Sequence, residues 1–260
     1  MLLHFFPYLS DALHPIVTQK GYPRKANGRK GAMSMGNAHF RHEKKHYISK
    51  SDHIALRQRL RAVMSPDPHT GADGVYQVHS LYFDDWRDTA LREKLEGDPR
   101  REKFRIRYYN DDLSYIKLEK KSKIRGLCQK ESTVITEEEC RLLMAGQPQQ
   151  IEPGDRALLT EFCAKMNYRQ LRARTCVVYQ REAFCYGPGN VRVTVDYEIG
   201  GGSPMSFLEP GQPLMRAGNT LLLEVKYDSF LPEHIAGLVE MKDRSVTAFS
   251  KYACARTFIS

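Results

Sequence analysis

The sequence lacks several features that would assign it quickly. Its six cysteines are scattered and include no C-x-x-C pair, which argues against a disulfide framework or a zinc clip and favours a reducing compartment. No apolar run approaches the length of a membrane span. The opening MLLHFFPYL is too short for a secretory signal and lacks its basic start. We therefore expect a cytoplasmic protein without a membrane span of its own, for which any membrane coupling would need a partner protein.

Two common site signatures are also missing. There is no G-x-x-x-x-G-K-[ST] loop, so a nucleotide would not be held in the P-loop manner. The nine histidines show no spacing typical of metal ligands. The chemistry of this chain therefore has to be sought in other residue types.

Positive charge is in excess. There are 40 Lys and Arg against 31 Asp and Glu, a net charge of +9, which points to an anionic partner. Residues 1–39 hold five of these cations and one acid, and they contain Gly, Pro and Asn without hydrophobic periodicity. We expect 1–39 to be a disordered basic extension, with a polyanion-binding arm as the alternative. The folded domain is expected over 40–260.

Charge alternates with apolar side chains along six predicted strands. In KFRIRYY (103–109), Phe104 and Ile106 lie on one face and Arg105 and Arg107 on the other. The same alternation occurs in SYIKLEKKSK, RHEKKHYI, RTCVVYQRE, NVRVTVDYE and LLLEVKYD. The charged faces are dominated by Arg and Lys, whereas solvated faces usually mix Ser, Thr, Gln and Glu.

Two arrangements fit this alternation. An antiparallel sheet with one solvated face produces it routinely. Alternatively, the sheet curls so that its charged face points inward and helices cover the outside. The second is favoured by the predicted amphipathic helices at 49–64, 88–97, 136–146, 154–167 and 232–242. Unneutralised like charges in such a lumen would destabilise the folded state by electrostatic repulsion and would lower the pKa values of its lysines. We therefore expect a polyanion inside.

Eight segments occur in an order that is similar to a known family: RHEKKHYIS, SLYFDD, REKFRIRYYN, IKLEKKSK, VVYQREAF, VRVTVDYEI, LLLEVKYD and FSKY. Together they resemble the catalytic domain of the vacuolar transporter chaperone polyphosphate polymerases, in the triphosphate tunnel metalloenzyme superfamily. The resemblance runs from about Arg41 to Tyr252. It implies an α+β fold, an eight-stranded antiparallel β tunnel with a cationic lumen and helices packed outside.

The resemblance also implies which residues act. The catalytic cations would be Lys45, Arg105, Arg107, Arg181 and Arg192. Further phosphate-binding residues would be Lys117, Lys121, Lys130, Tyr179, Lys226, Ser250 and Lys251. Glu224 matches the carboxylate that holds a divalent metal, Mn²⁺ or Mg²⁺, with Glu43 and Glu119 as its candidate companions.

Two departures bear on the reaction. Triphosphatases of the superfamily carry E-x-E-x-K on the first strand, and Arg41 stands where the first Glu would be. Those hydrolases also tend to have a second acid where Lys226 follows Glu224. Fewer carboxylates and more cations resemble the polymerase branch.

The function implied by the resemblance is metal-dependent phosphoryl transfer, with polyphosphate made from the γ-phosphate of ATP. Hydrolysis of tripolyphosphate or a nucleoside triphosphate is an alternative, and so is non-catalytic polyphosphate binding. Nucleic acid is not expected as a partner, because inward-facing cations cannot follow a duplex. The sequence does not fix the oligomeric state.

Overall fold

The computed structural model describes residues 41–71, 73–124, 127–209, 214–241, 244 and 246–259. The expectation of a disordered extension over 1–39 lies outside these residues. The described strands are β1 His42–Ile48, β2 Ser65–Pro66, β3 Val75–Asp84, β4 Arg100–Tyr109, β5 Asp112–Ile124, β6 Leu127–Ile135, β7 Arg172–Tyr186, β8 Val191–Gly202, β9 Met215–Arg216 and β10 Leu221–Tyr227. The described helices are α1 Lys50–Val63, α2 Thr89–Leu95, α3 Glu137–Met144, α4 Ala157–Tyr168, α5 Glu233–Val239 and α6 Lys251–Ile259.

Several of these elements begin where local chemistry predicts. The Ser49 side chain accepts a hydrogen bond from the backbone N–H of Asp52 at 3.1 Å and caps α1. Thr136 and Glu139 form a reciprocal capping box at the start of α3. In none of the described helices is there a stretch both apolar and long enough to cross a membrane.

One antiparallel sheet contains all ten strands. Eight follow the order β1-β10-β8-β7-β3-β4-β5-β6, and the short β2 and β9 pair with β7 and β8. No backbone pairing joins β1 to β6 in the part of the chain that the structure describes. The expected α+β class and eight-stranded antiparallel path are confirmed, with the backbone ladder open between its two end strands.

The sheet curls strongly around its charged face. Lys121 of β5 and Glu43 of β1 stand six strand positions apart, about 29 Å in a flat sheet, yet the Lys121 Nζ lies 2.8 Å from a Glu43 carboxylate oxygen. The charged face is therefore concave. We call it the lumen face, and the space that it encloses the tunnel.

Apolar clusters occupy the outer face. Phe104, Ile106 and Leu118 of the sheet pack with Leu143 of α3 and Phe162 of α4. A second cluster joins β8 and β10 to α1 and α5, with Leu60, Val193, Leu223 and Ile235 among its members. Four helices thus cover the outside, as the amphipathic patterns predict.

The last helix departs from that arrangement. Tyr252 and Ala255 of α6 pack with Tyr82 and Val177, which point to the lumen face. The Tyr252 hydroxyl donates to Asp84 at 2.7 Å, and Asp84 also accepts hydrogen bonds from the start of α2. The expectation that the helices pack outside is therefore corrected for α6, which covers part of the inner face, and for α2, whose Leu91 packs against the same cluster.

Candidate functional site

Two carboxylates and two lysines meet where β1 pairs with β10. Register places Lys45 opposite Glu224 and Glu43 opposite Lys226, all on the lumen face. The Lys45 Nζ lies 2.8 Å from Glu43 and 3.3 Å from Glu224. The Lys226 ammonium contacts Glu224 and lies 3.9 Å from Glu43. The two carboxylates therefore face the same small region and share their cations.

The charged side chains of this group strongly shift one another's pKa values. Burial and the neighbouring Glu224 would raise the pKa of Glu43, but Lys45, Lys226 and Lys121 outweigh them and hold it at about 2. The pKa of Glu224 is lowered well below its usual value by Lys226 and Lys45, against its burial. Burial lowers the pKa of Lys226 to about 8, even beside Glu224. At neutral pH both carboxylates are ionised.

A second carboxylate group lies on β4 and β5. Glu119 is buried and stands opposite Arg105, whose Nε lies 2.6 Å from it. Arg107 Nη1 is 3.9 Å from Glu119, and the Lys130 ammonium also contacts it. These charges outweigh burial and depress the pKa of Glu119 far below its usual value. Arg107 also donates to the Tyr179 hydroxyl at 3.2 Å.

A third group is built around Asp196 of β8. Arg181 binds this fully buried carboxylate with two donors at 2.6 and 2.8 Å, the bidentate geometry that suits a guanidinium. Lys251, at the start of α6, reaches the same carboxylate at 2.5 Å. Arg181 and Lys251 also lie over the ring of Tyr179, at 5.2 and 4.5 Å from its centre. Despite burial, these two cations lower the pKa of Asp196 to about 2.

Three expected residues lie outside these groups, Arg192 and Lys117 on the lumen face and Ser250 just before α6. Arg192 Nη2 is 2.6 Å from Asp67 and donates to the Tyr76 hydroxyl at 2.8 Å. The Lys117 ammonium lies 4.5 Å from the ring centre of Tyr115. Ser250 accepts a hydrogen bond from the backbone of α6 at 3.4 Å, so its described contact is a helix cap. The roles assigned to these residues stay predictions.

The donor set of the first group suits a hard divalent cation. Glu43 and Glu224 present ionised oxygen ligands toward the ammonium of Lys45, so the position already holds a positive charge between two carboxylates. Nowhere in the described ranges do three or more His, Cys, Asp or Glu side chains gather as a metal cluster. The metal roles of Glu43, Glu224 and Glu119 stay predictions, and an ion held by Glu43 and Glu224 would need further oxygen ligands, such as those of a phosphate.

Two residues on the lumen face, Asp196 and Lys103, were given no role from the sequence. Asp196 shares a strand face with Arg192, so alternation already placed it in the lumen, but nothing local distinguishes it as the partner of Arg181. Lys103 stands two residues before Arg105 on the same face. The alternation along KFRIRYY already placed Lys103 on the charged face, but the family resemblance assigned it no role.

A family model described as VTC domain matches residues 40–259. No curated protein matches the sequence significantly. Among solved structures, HpAC1 from Hippeastrum, described as a candidate adenylyl cyclase with a dominant triphosphatase activity, shares 16% identity at a TM-score of 0.48 and covers 84% of this chain and 96% of its own. PH1819 from Pyrococcus horikoshii OT3 shares 13% identity at a TM-score of 0.45, covering 84% and 99%.

Proposed function

The chain belongs to the VTC domain family, and we propose that it transfers phosphoryl groups inside its tunnel, building polyphosphate from the γ-phosphate of ATP with Mn²⁺ or Mg²⁺. One observation carries this proposal. Arginines and lysines from eight different elements, β1, β4, β5, β6, β7, β8, β10 and α6, converge on one concave face. A polyanion threaded along that face would meet cations on every side.

The lumen carboxylates support this role by holding the cations in place. Glu119 fixes Arg105, Asp196 fixes Arg181 and Lys251, and Glu43 fixes Lys45 and Lys121. Phosphoryl transfer needs in-line positioning and neutralisation of phosphoryl oxygens more than covalent help from protein. Cations that are already positioned stabilise developing charge without reorganising during the reaction.

The proposed reaction balances without a further reactant. A terminal phosphate oxygen of the growing chain forms a bond to the γ-phosphorus of ATP, the bond from that phosphorus to the β,γ-bridging oxygen breaks, and ADP leaves with the electron pair. Arg105 and Arg107 would each grip phosphate oxygens with a planar fork. Glu43 and Glu224 would hold the divalent ion, which neutralises phosphate charge when bound.

The test is incubation of the full chain with ATP and Mn²⁺, followed by a polyphosphate gel and an assay for free phosphate. Chains that lengthen with time while ADP accumulates are the expected result, and a chelator should abolish them. Release of free phosphate without chains would instead assign hydrolysis. Tight polyphosphate binding without turnover under any divalent metal would leave a binding domain.

A further inference from the structure

Tyr82 is a lumen-face tyrosine whose hydroxyl has an incomplete set of hydrogen bonds. It lies on β3 opposite Arg105 of β4, and Arg105 Nη1 donates to its hydroxyl at 3.4 Å. Among the described residues, this hydroxyl donates no hydrogen bond of its own. Only 3% of Tyr82 is exposed, and a buried O–H group without an acceptor is unfavourable. The missing acceptor is therefore expected to enter the lumen with a ligand.

The ring of Tyr82 is held in place beside Arg105. It stacks on Tyr252 of α6 with the ring centres 5.2 Å apart, and it packs with Val177 of β7. The Lys103 ammonium lies 5.6 Å from the ring centre. Because neighbours from three elements fix the ring, its hydroxyl needs no rearrangement to meet a group that Arg105 binds.

The surrounding charges make the Tyr82 oxygen a better nucleophile than an ordinary phenol. Burial would raise its pKa, but the positive charges around it, chiefly those of Arg105 and Lys103, lower it to about 7. Two neighbouring tyrosines differ, because burial raises the pKa of both Tyr76 and Tyr252. A lowered pKa is one of the ways in which proteins activate an oxygen or sulfur nucleophile.

Polyphosphate synthesis needs a first acceptor. Elongation uses the terminal phosphate of an existing chain, so a protein that holds only ATP has no chain to extend. Tyr82 supplies an oxygen fixed beside Arg105, one of the guanidinium groups that would grip phosphate. An acceptor held next to the donor phosphate reacts far faster than one that must arrive from solution.

We propose that Tyr82 accepts a γ-phosphoryl group from ATP when no chain is present, forming an O-phosphotyrosine from which the first chain grows. The inference rests on the proposed function, because it uses the same phosphoryl donor. The Tyr82 oxygen forms a bond to the γ-phosphorus, the bond from that phosphorus to the β,γ-bridging oxygen breaks, and ADP leaves with the electron pair. The phenolic proton passes to the amine of Lys103, whose pKa burial lowers to about 7. A terminal oxygen of the phosphotyrosine is then the acceptor for the next phosphoryl group.

The test is incubation of the full chain with ATP and Mn²⁺ in the absence of polyphosphate. Mild acid then cleaves phosphoanhydride bonds but leaves a tyrosine phosphoester, and mass spectrometry of the peptides locates it. We expect one phosphoryl group on the peptide that contains Tyr82. Tyr82→Phe, which keeps the ring and its stacking, should lack this group. The matched control Tyr76→Phe, which removes another lumen hydroxyl bound by an arginine, should keep it.

A kinetic measurement separates an acceptor from a residue that only positions Arg105. Without added chains, Tyr82→Phe should slow synthesis by about tenfold or more, since an acceptor fixed in place is replaced by one from solution. Short-chain polyphosphate supplies an acceptor, so adding it should recover most of that loss. A positioning role would give the same loss with and without added chains.

Two outcomes would overturn the acceptor: chains formed by the wild-type protein without phosphate on Tyr82, or a defect of Tyr82→Phe that added polyphosphate does not relieve. In both cases the proposed synthesis stands and this inference alone fails. Phosphate on Tyr82 without any chains would leave the self-phosphorylation standing and exclude the synthesis. If neither phosphotyrosine nor chains form, both proposals fail.

Discussion

At the scale of single residues, the lumen holds two kinds of cation. Arg181, Arg105 and Lys45 each contact a buried carboxylate (Asp196, Glu119 and Glu224), whereas Lys103 has no carboxylate partner among the described residues. Alternation predicted that like charges would face one another, but it could not show which would be neutralised. Pairing depends on which strands become neighbours, as Arg181 and Asp196 do. The two kinds should respond oppositely to substitution.

Arg181→Ala should destabilise the fold and slow the reaction. Removing one partner of a buried ion pair costs about 3 to 5 kcal/mol, here reduced because Lys251 still reaches Asp196. Loss of one preorganised charge contact should cut turnover by about tenfold to a thousandfold. Urea unfolding and ATP turnover measure the two effects. Arg141→Ala, which breaks an exposed pair with Glu137, is the control, and equal stability of the two variants would contradict this account.

Glu224→Gln separates a metal ligand from a counter-charge. The substitution keeps the shape of the side chain but removes the charge that binds a hard cation. We expect turnover with Mn²⁺ or Mg²⁺ to be lost, while metal-free tripolyphosphate binding stays intact or becomes tighter. Turnover assays and calorimetry on the same preparation test this. An active variant with a lower melting temperature would remove Glu224 from the metal site.

Lys103 should give the empty tunnel a pH-dependent stability. Its folded pKa of about 7 lies below the value of about 10.4 for an unfolded lysine. Between these values the unfolded chain binds more protons, so this residue makes stability rise with pH. Lys103→Met should therefore be more stable than wild type at about pH 7, by a margin that shrinks toward about pH 9. Chemical unfolding at both pH values measures it, and a margin independent of pH would exclude the charge effect.

At the scale of elements, sequence predicts what is local. The alternation of β4, β7, β8 and β10 assigned the correct side chains to the lumen, and the helices predicted at 49–64 and 136–146 correspond to α1 and α3. The edge strand β6 was missed because LCQKESTVI has no clean apolar alternation, and it becomes a strand through pairing with β5. Helix α6 was not predicted either, and its position could not be, because its partners Tyr82 and Val177 are remote in sequence.

Gly201 permits the close approach of α6 to the lumen face. A Cβ added there would lie 2.7 Å from the Cβ of Ala255, so Gly201→Ala must displace the helix. We expect a loss of about 1 to 3 kcal/mol in stability, as is typical of overpacking, with weaker polyanion binding because Lys251 moves with α6. Gly187→Ala meets nothing within 4 Å and is the control. Equal stability and binding in both variants would show that α6 does not need this contact.

At the scale of the whole molecule, the net charge of +9 matters through its placement. Four helices cover the apolar outer face of the sheet. The sheet curls around its charged face, and α6 lies against part of that inner face. Such a fold brings many cations together before any ligand arrives. A polyanion that binds only the folded chain should therefore stabilise it by mass action.

The central claim is that this lumen is a polyanion site, and the unfolding free energy measured with and without tripolyphosphate tests it most directly. At about a hundred times its dissociation constant, tripolyphosphate should stabilise the wild-type protein by about 2.7 kcal/mol. Raising the salt concentration should reduce that gain, because the attraction is electrostatic. An unfolding free energy that tripolyphosphate does not change at low salt would contradict the claim. The charged faces would then be ordinary solvated surface.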